Sequence, residues 1–393
     1  MLIAIAVDGF KGCLSSSAAA EVIATGLRLG FPEVRTRLIP MADGGEGTMA
    51  AMVAAMGGER RTTRVLGPDS RQVQAEFGLV DAGGIAILEM AAASGMALLE
   101  PGCLDPMGAH TWGTGQLIAA ALACGVRKII LGLGGSASTD GGVGMACALG
   151  ARFLDRGGRD IALGGRGLED LVAMDVSGLD PRLRGVTFEA ACDVSTPMCG
   201  PEGSAVVFAP QKGATPEQVQ RLARGLERLA QIFQFHCGRD IAVIPGSGAA
   251  GGLGGGVLAF LQGTLRPGAA MVAETIQLAS QLRGVDLVIT GEGRLDGQTA
   301  RGKAPAEVAK VAKSLGLPVI ALCGVTGEGI ETISNTGIDA WLAASPSPLS
   351  PEDVPRLGPE RLEACARKLG LNLSRLAREG SVTREVILHD LAG

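Results

Sequence analysis

Five glycine-rich stretches carry side chains that can bind an anion, hold a hard cation or move a proton, and each follows an apolar run. The first is Asp8-Gly-Phe-Lys11-Gly-Cys-Leu-Ser15. A lysine beside free backbone N–H groups at a helix start suits a phosphate or a carboxylate; the plainer reading is a strand-to-helix turn with a solvated lysine. The second, Asp43-Gly-Gly-Glu46-Gly-Thr48, offers two carboxylates that can hold a hydrated Mg²⁺ or accept a proton, or else cap the next helix. The third, Thr290-Gly-Glu292-Gly-Arg294-Leu-Asp296-Gly-Gln-Thr299, runs on to Lys303. Two acids, an arginine and a lysine this close together exceed what a connection needs.

The fourth stretch, Gly132-Leu-Gly134-Gly-Ser136-Ala-Ser138-Thr-Asp140-Gly-Gly142, supplies small residues and hydroxyls able to cradle phosphates through backbone amides. It is not a P-loop, because no G-x-x-x-x-G-K-[ST] run occurs in the chain. The fifth, Ala191-Cys-Asp193-Val-Ser-Thr196-Pro-Met-Cys-Gly200, ends an extended segment and is followed by Pro210-Gln211-Lys212-Gly213. Asp193 reads either as a desolvated base or as an Asx-turn residue. Pro245–Gly256 imitates a dinucleotide fingerprint, but residues 240–244 form a short strand at best and no acid closes a later strand. That leaves a helix start near a ligand, or tight helix packing. His110, His236 and His389 lack ligand spacing, so neither a zinc site nor a Ser-His-Asp triad is expected.

Elements must position these loops. Residues 2–7 read as a buried strand, 17–29 as a helix capped from the Ser15–Ser17 run, 34–40 as a strand, and the stretch to 56 as a helix. Residues 62–67, 71–80 and 85–90 follow as strands with turns between them, which suggests antiparallel pairing. A helix at 114–124, a strand at 127–133, extended segments at 187–192 and 204–209, and a helix at 216–234 come next. The opening style then returns, with strands at 285–290, 318–322 and 340–343 and helices at 303–315 and 359–378. The expected fold is α/β in two domains. Residues 1–61 plus 285–393 form a parallel-sheet domain from both chain ends, and 62–284 an inserted mixed α/β domain. If the outer strands take a flavodoxin-like order, the first three loops meet at its switch point, where ligands bind in open α/β sheets.

Composition narrows the partners. The 393 residues carry 35 Lys and Arg against 40 Asp and Glu, a net charge of −5, so no basic surplus exists to neutralise nucleic acid. Aromatics are 3% with no tyrosine, whereas glycine reaches 61 residues; stacking platforms are scarce and tight turns many. Nine cysteines form no C-x-x-C pair and suit a reducing compartment. No apolar run nears a membrane span and no signal peptide is evident, so a cytoplasmic protein is expected.

Together these segments resemble the type I glycerate kinase family, bacterial enzymes that phosphorylate D-glycerate with ATP. The resemblance is carried by Asp8–Ser15, Pro40–Thr48, Glu89-Met-Ala-Ala-Ala-Ser-Gly95, Gly134–Gly142, Cys192–Gly203, Gln211–Gly213 and Ile289–Thr299, in the family's order over nearly the whole chain. Departures are small: Gly9 and Cys13 replace serines, and Thr139 an asparagine. The resemblance implies a flavodoxin-like domain with a restriction-endonuclease-like second domain. It also implies γ-phosphoryl transfer to glycerate, usually giving 2-phosphoglycerate, as part of organic-acid metabolism. The alternatives are 3-phosphorylation or a related small hydroxy acid. ATP and Mg²⁺ are the implied co-substrate and cofactor, no nucleic acid or membrane partner is expected, and a homodimer is allowed for. On this basis Asp43, Glu46, Glu292 and Asp296 are expected to hold the metal, and Asp8, Ser136, Asp140, Gln211, Lys212 and Lys303 to bind substrate or nucleotide. Lys11 and Arg294 would act on the phosphates. Asp193 is the expected base, with Asp8 and Asp140 as competitors, in a cleft between the domains.

Overall fold

The computed structural model describes residues 1–100 and 102–379; His389 lies outside them. The chain forms two compact units. One comprises Met1–Asp43, Ala50–Ala55 and the chain from Ala269 onward; the other comprises Gly44–Met49 and Met56–Gly268.

The first unit is built on a five-stranded, wholly parallel sheet. Its order is Ala340–Ala343, Val319–Thr326, Leu287–Leu295, Leu2–Val7, Arg35–Leu38. Counted along the chain this is 2-1-3-4-5, the flavodoxin-like order, and it reverses between Leu2–Val7 and Leu287–Leu295. Leu2–Val7 and the first three residues of Leu287–Leu295 are apolar because a parallel sheet is covered on both faces, and the polar residues of the second strand begin at Thr290; Ile3, Ile5, Val7, Leu287 and Ile289 are fully buried. The Ser16–Gly30 helix begins where Ser15 Oγ accepts the Ala18 N–H at 3.2 Å, and buries Ala19, Ile23 and Leu27 at helical spacing. It packs on the last helix, Val354–Arg378, through glycines. A β-carbon on Gly26 would lie 2.3 Å from Glu363 O, and one on Gly30 2.3 Å from Arg367 O. That last helix starts ahead of the expected residue 359, because Pro355 rather than Pro359 occupies its first turn.

The second unit carries a six-stranded mixed sheet in the order Thr264–Arg266, Thr187–Ala191, Lys128–Gly132, Ile85–Glu89, Gln72–Val80, Glu59–Leu66. The last three pair antiparallel, as the run of turn-separated strands implied, and the others pair parallel. The Pro216–Cys237 helix opens on a capping box between Thr215 and Gln218, and Phe153 and Phe233 both meet Phe260 edge-on in the core.

Two expectations are corrected here. Residues 204–209, expected to be extended, form the helix Ser204–Phe208. Ala205 and Ala209, one turn apart, are buried, Ser204 Oγ is tied to Gly248 O at 2.6 Å, and the β-branched Val206 and Val207 are left outside. Residues 240–244 form no strand. The glycine run beyond them enters the helix Ala249–Phe260, with Ala250, Gly251 and Gly252 left-handed. A β-carbon on Gly251 would meet Ser138 O at 2.0 Å, so this segment is close packing against the 134–142 loop. Among the described residues no helix is long and apolar enough to cross a membrane.

Candidate active site

In the first unit the site grows from the carboxyl ends of the two strands at the order reversal. Asp8 directly follows Val7, and its N–H donates to Gly291 O at 2.9 Å, which places it beside Glu292 on the neighbouring strand. The Phe10–Leu14 turn closes on itself (Phe10 N to Leu14 O, 2.8 Å) and lays Lys11 over the same edge. Gly293 lets this turn approach: a β-carbon there would touch Lys11 N at 3.4 Å. Glu292 is 8% exposed, accepts the Thr299 hydroxyl at 2.6 Å and faces Lys303 Nζ at 3.8 Å. Arg294 is exposed, with Nε 3.4 Å from Asp296. A cavity of about 410 Å³ runs from Asp8, Lys11, Glu292 and Lys303 along the strand ends.

The acids here press on one another. Burial, then the charge of Asp43 and that of Glu292, push the Asp8 carboxyl up to about 7, against the pull of the Gly9 N–H and Lys11. Burial also raises Glu292, helped by Asp43 and Asp296 and opposed by the Thr299 hydrogen bond and Lys303. Such a set is short of positive charge. Among the described residues no three His, Cys, Asp or Glu side chains form a closed metal cage. Mg²⁺ needs none, since it keeps several waters and takes one or two carboxylates plus substrate phosphates. The donor set therefore fits a hydrated cation arriving with a nucleotide.

In the second unit Lys212 is 2% exposed, and its ammonium is turned inward onto Ser136 Oγ at 2.8 Å and Ser138 O at 2.5 Å. Burial pushes it down to about 7, with the Asp140 charge opposing. Asp140 is fully enclosed and accepts the N–H groups of Thr111, Gly142 and Gly144 and the Thr111 hydroxyl, at 2.8–3.2 Å. Its oxygens thus organise the start of the Val143–Ala148 helix. Gln211 is exposed. Asp193 is exposed too and accepts the Gly268 N–H at 2.8 Å, so it is not the desolvated group its apolar neighbours suggested. Glu46 belongs to this unit, where its charge bears on Glu89.

Glu89, which enters the sequence reading only within the Glu89–Gly95 motif, is not singled out there as a site residue. It closes a buried strand, accepts the Met49 N–H at 2.8 Å and also bonds the backbone of Gly47 and Thr48, which fixes the loop carrying Glu46. A carboxylate ending an apolar run was the available signal. Arg361 and Cys13, which line the first unit's cavity, gave no such signal.

A family model described as the glycerate kinase family matches residues 3–374. The chain is 45% identical to a glycerate kinase of Halalkalibacterium halodurans, over 94% of this chain and 97% of that one. It is 42% identical to the glycerate 2-kinase of Escherichia coli, over 86% and 89%. A crystal structure from Salmonella typhimurium, named for glycerate kinase 2, superposes with a TM-score of 0.87 at 42% identity, covering 96% of this chain and 99% of that one. Motif order, switch-point geometry and these likenesses agree: the chain belongs to the glycerate kinase family, a family of phosphotransferases.

Proposed function

We propose that the protein transfers the γ-phosphoryl group of ATP to D-glycerate, giving 2-phosphoglycerate. The observation that carries this reading is the grouping of Lys11 and Lys303 with Asp8, Asp43 and Glu292 at the sheet's order reversal. Phosphoryl transfer asks for cations around the equatorial oxygens and for a metal bridging the phosphates. Lys11, Arg294 and Lys303 meet the first need. Asp43, Glu292 and Asp296 would hold Mg²⁺ through waters, with Glu46 the fourth member of the set read from sequence; when bound, the metal supplies charge neutralisation between phosphates.

Asp193 takes the proton of the attacking hydroxyl in this proposal. Asp193 is an exposed residue, whereas Asp140 is fully enclosed, its oxygens accepting four hydrogen bonds within the fold. Lys212 and Ser136 act by shaping the 134–142 loop. The 2-position follows the E. coli relative's name, glycerate 2-kinase.

The test is ADP release dependent on D-glycerate, with the product's phosphate position read by phosphorus NMR. Turnover should vanish with EDTA and return with Mg²⁺ or Mn²⁺. Full turnover in metal-free buffer would exclude the metal assignment, and a 3-phosphate would correct the regiochemistry.

A further inference from the structure

The cavity on the first unit has two chemically different ends. One holds Asp8, Lys11, Glu292 and Lys303; the other is walled by Val325, Ala344, Leu349, Val354 and Leu362. At about 410 Å³ it is in the range of small-molecule and cofactor sites. A three-carbon hydroxy acid would fill little of it and would leave the apolar end wet. A nucleoside triphosphate has the same division, a flat apolar-faced base at one end and an anionic tail at the other.

We propose that this cavity is the nucleotide pocket, with the base of ATP against Val325, Ala344, Leu349 and Leu362 and the phosphates directed toward Lys11 and Lys303. The inference rests on the kinase reading above. Topology places the wall where such a ligand belongs. Val325 lies near the carboxyl end of Val319–Thr326, the strand next to Leu287–Leu295 at the order reversal, and Ala344 just past Ala340–Ala343, one strand further out. The loop that closes the apolar end is held in place: Ser345 Oγ donates to Ser347 O at 2.7 Å, and Arg361 Nη1 donates to Ser345 Oγ at 2.5 Å. The lining carries four cationic side chains, Lys11, Arg294, Lys303 and Arg361, against the three carboxylates Asp8, Glu292 and Asp296. The charge of Asp43, which bears on Asp8 and Glu292, makes that balance even, and an even balance suits a polyphosphate that brings its own divalent cation. Aliphatic walls replace the aromatic stacking that this tyrosine-free chain scarcely affords.

Cys13 makes the proposal testable on the intact protein. Its free, half-buried thiol lines the cavity and faces the last helix, where a β-carbon on Gly358 would lie 2.5 Å from Sγ. The protein is labelled with a maleimide in the presence of Mg-ATP, adenosine or D-glycerate. Mass spectrometry follows the Cys13 peptide, with the exposed Cys103 and Cys124 as internal references. Mg-ATP and adenosine should slow Cys13 labelling about tenfold at saturation, and glycerate should leave it unchanged. Ala344→Trp, which fills the apolar end, should raise the KM for ATP about tenfold, equivalent to about 1.4 kcal/mol, with the KM for glycerate within twofold. Suppose the unmodified protein turns over both substrates while Cys13 labels at one rate with and without saturating ATP, or is shielded by glycerate alone. The pocket assignment is then overturned, whether or not Ala344→Trp folds. If ADP release from glycerate is absent, the kinase reading fails instead, and nucleotide protection of Cys13 would still support the pocket.

Discussion

Two neutral oxygens, Ser136 Oγ and Ser138 O, receive the ammonium of Lys212 in a site where it is 2% exposed. Desolvation without a directly bonded carboxylate favours the uncharged amine and brings the group from its ordinary 10.5 down to about 7. The sign of the stability effect follows. Between those values the unfolded chain binds a proton that the folded one does not, so unfolding free energy rises with pH across that window. The slope from this group is at most about 1.4 kcal/mol per pH unit, and its cost to stability is fully present below pH 7. Lys212→Met keeps the volume and removes the titration. Urea denaturation at about pH 7.5 and about pH 9 should show a shallower pH dependence for the variant; equal slopes would mean that Lys212 is charged throughout. The exposed cations behave differently. Lys11→Ala should cost about 3–4 kcal/mol in kcat if Lys11 acts as a transition-state donor, and wild-type kinetics in both Lys11→Ala and Arg294→Ala would make these loops structural. Sequence revealed the loop cluster at the order reversal, because acids and cations recur there after apolar runs. It did not reveal which way Lys212 points. Its partners stand 76 and 74 residues upstream, and no local pattern encodes them.

Helix contact through bare backbone decides the behaviour of the first unit's outer layer. Gly26 and Gly30 on Ser16–Gly30 face Glu363, Arg367 and Leu371 of the last helix, and Gly370 faces Leu27 O at 2.6 Å from an added β-carbon. A helical Gly→Ala change is ordinarily stabilising by up to about 1 kcal/mol. Here the added methyl meets carbonyl oxygens at 2.3 Å, so the helices must separate and the sign inverts. Gly26→Ala and Gly30→Ala should each destabilise by about 1–3 kcal/mol in thermal or urea unfolding. A stabilised variant would show that the two helices are not packed this closely. Period and punctuation made most strands and the long helices legible. Leu2–Val7 and Ala340–Ala343 have the ends read from sequence. Legibility failed where an element is short and its partner distant. Ser204–Phe208 carries a strand-like composition that a bond to Gly248 and two buried alanines override. The hairpin of Arg152–Leu154 with Ala173–Asp175 is too brief to show a period at all.

Across the whole molecule the fold relies on burial and close backbone approach, since all nine cysteines are free thiols. Without a cross-link the unfolded chain keeps its full loop entropy, so a reductant should leave the denaturation midpoint unchanged. Thiol reactivity then becomes a map of burial, because only the thiolate attacks. Burial pushes Cys147, Cys199 and Cys323 up to about 12 and Cys365 to about 11, and also raises Cys13, Cys192 and Cys237. Cys103 and Cys124 are the two exposed ones. Titration of the native, unreduced protein with a chromogenic disulfide at about pH 8 should therefore show two fast thiols, with the remaining seven reacting slowly. In guanidinium all nine should react at once. Fewer than nine in the unreduced, denatured protein would reveal a disulfide, and one uniform rate in the native protein would mean that the small-residue cores open far more readily than their burial implies.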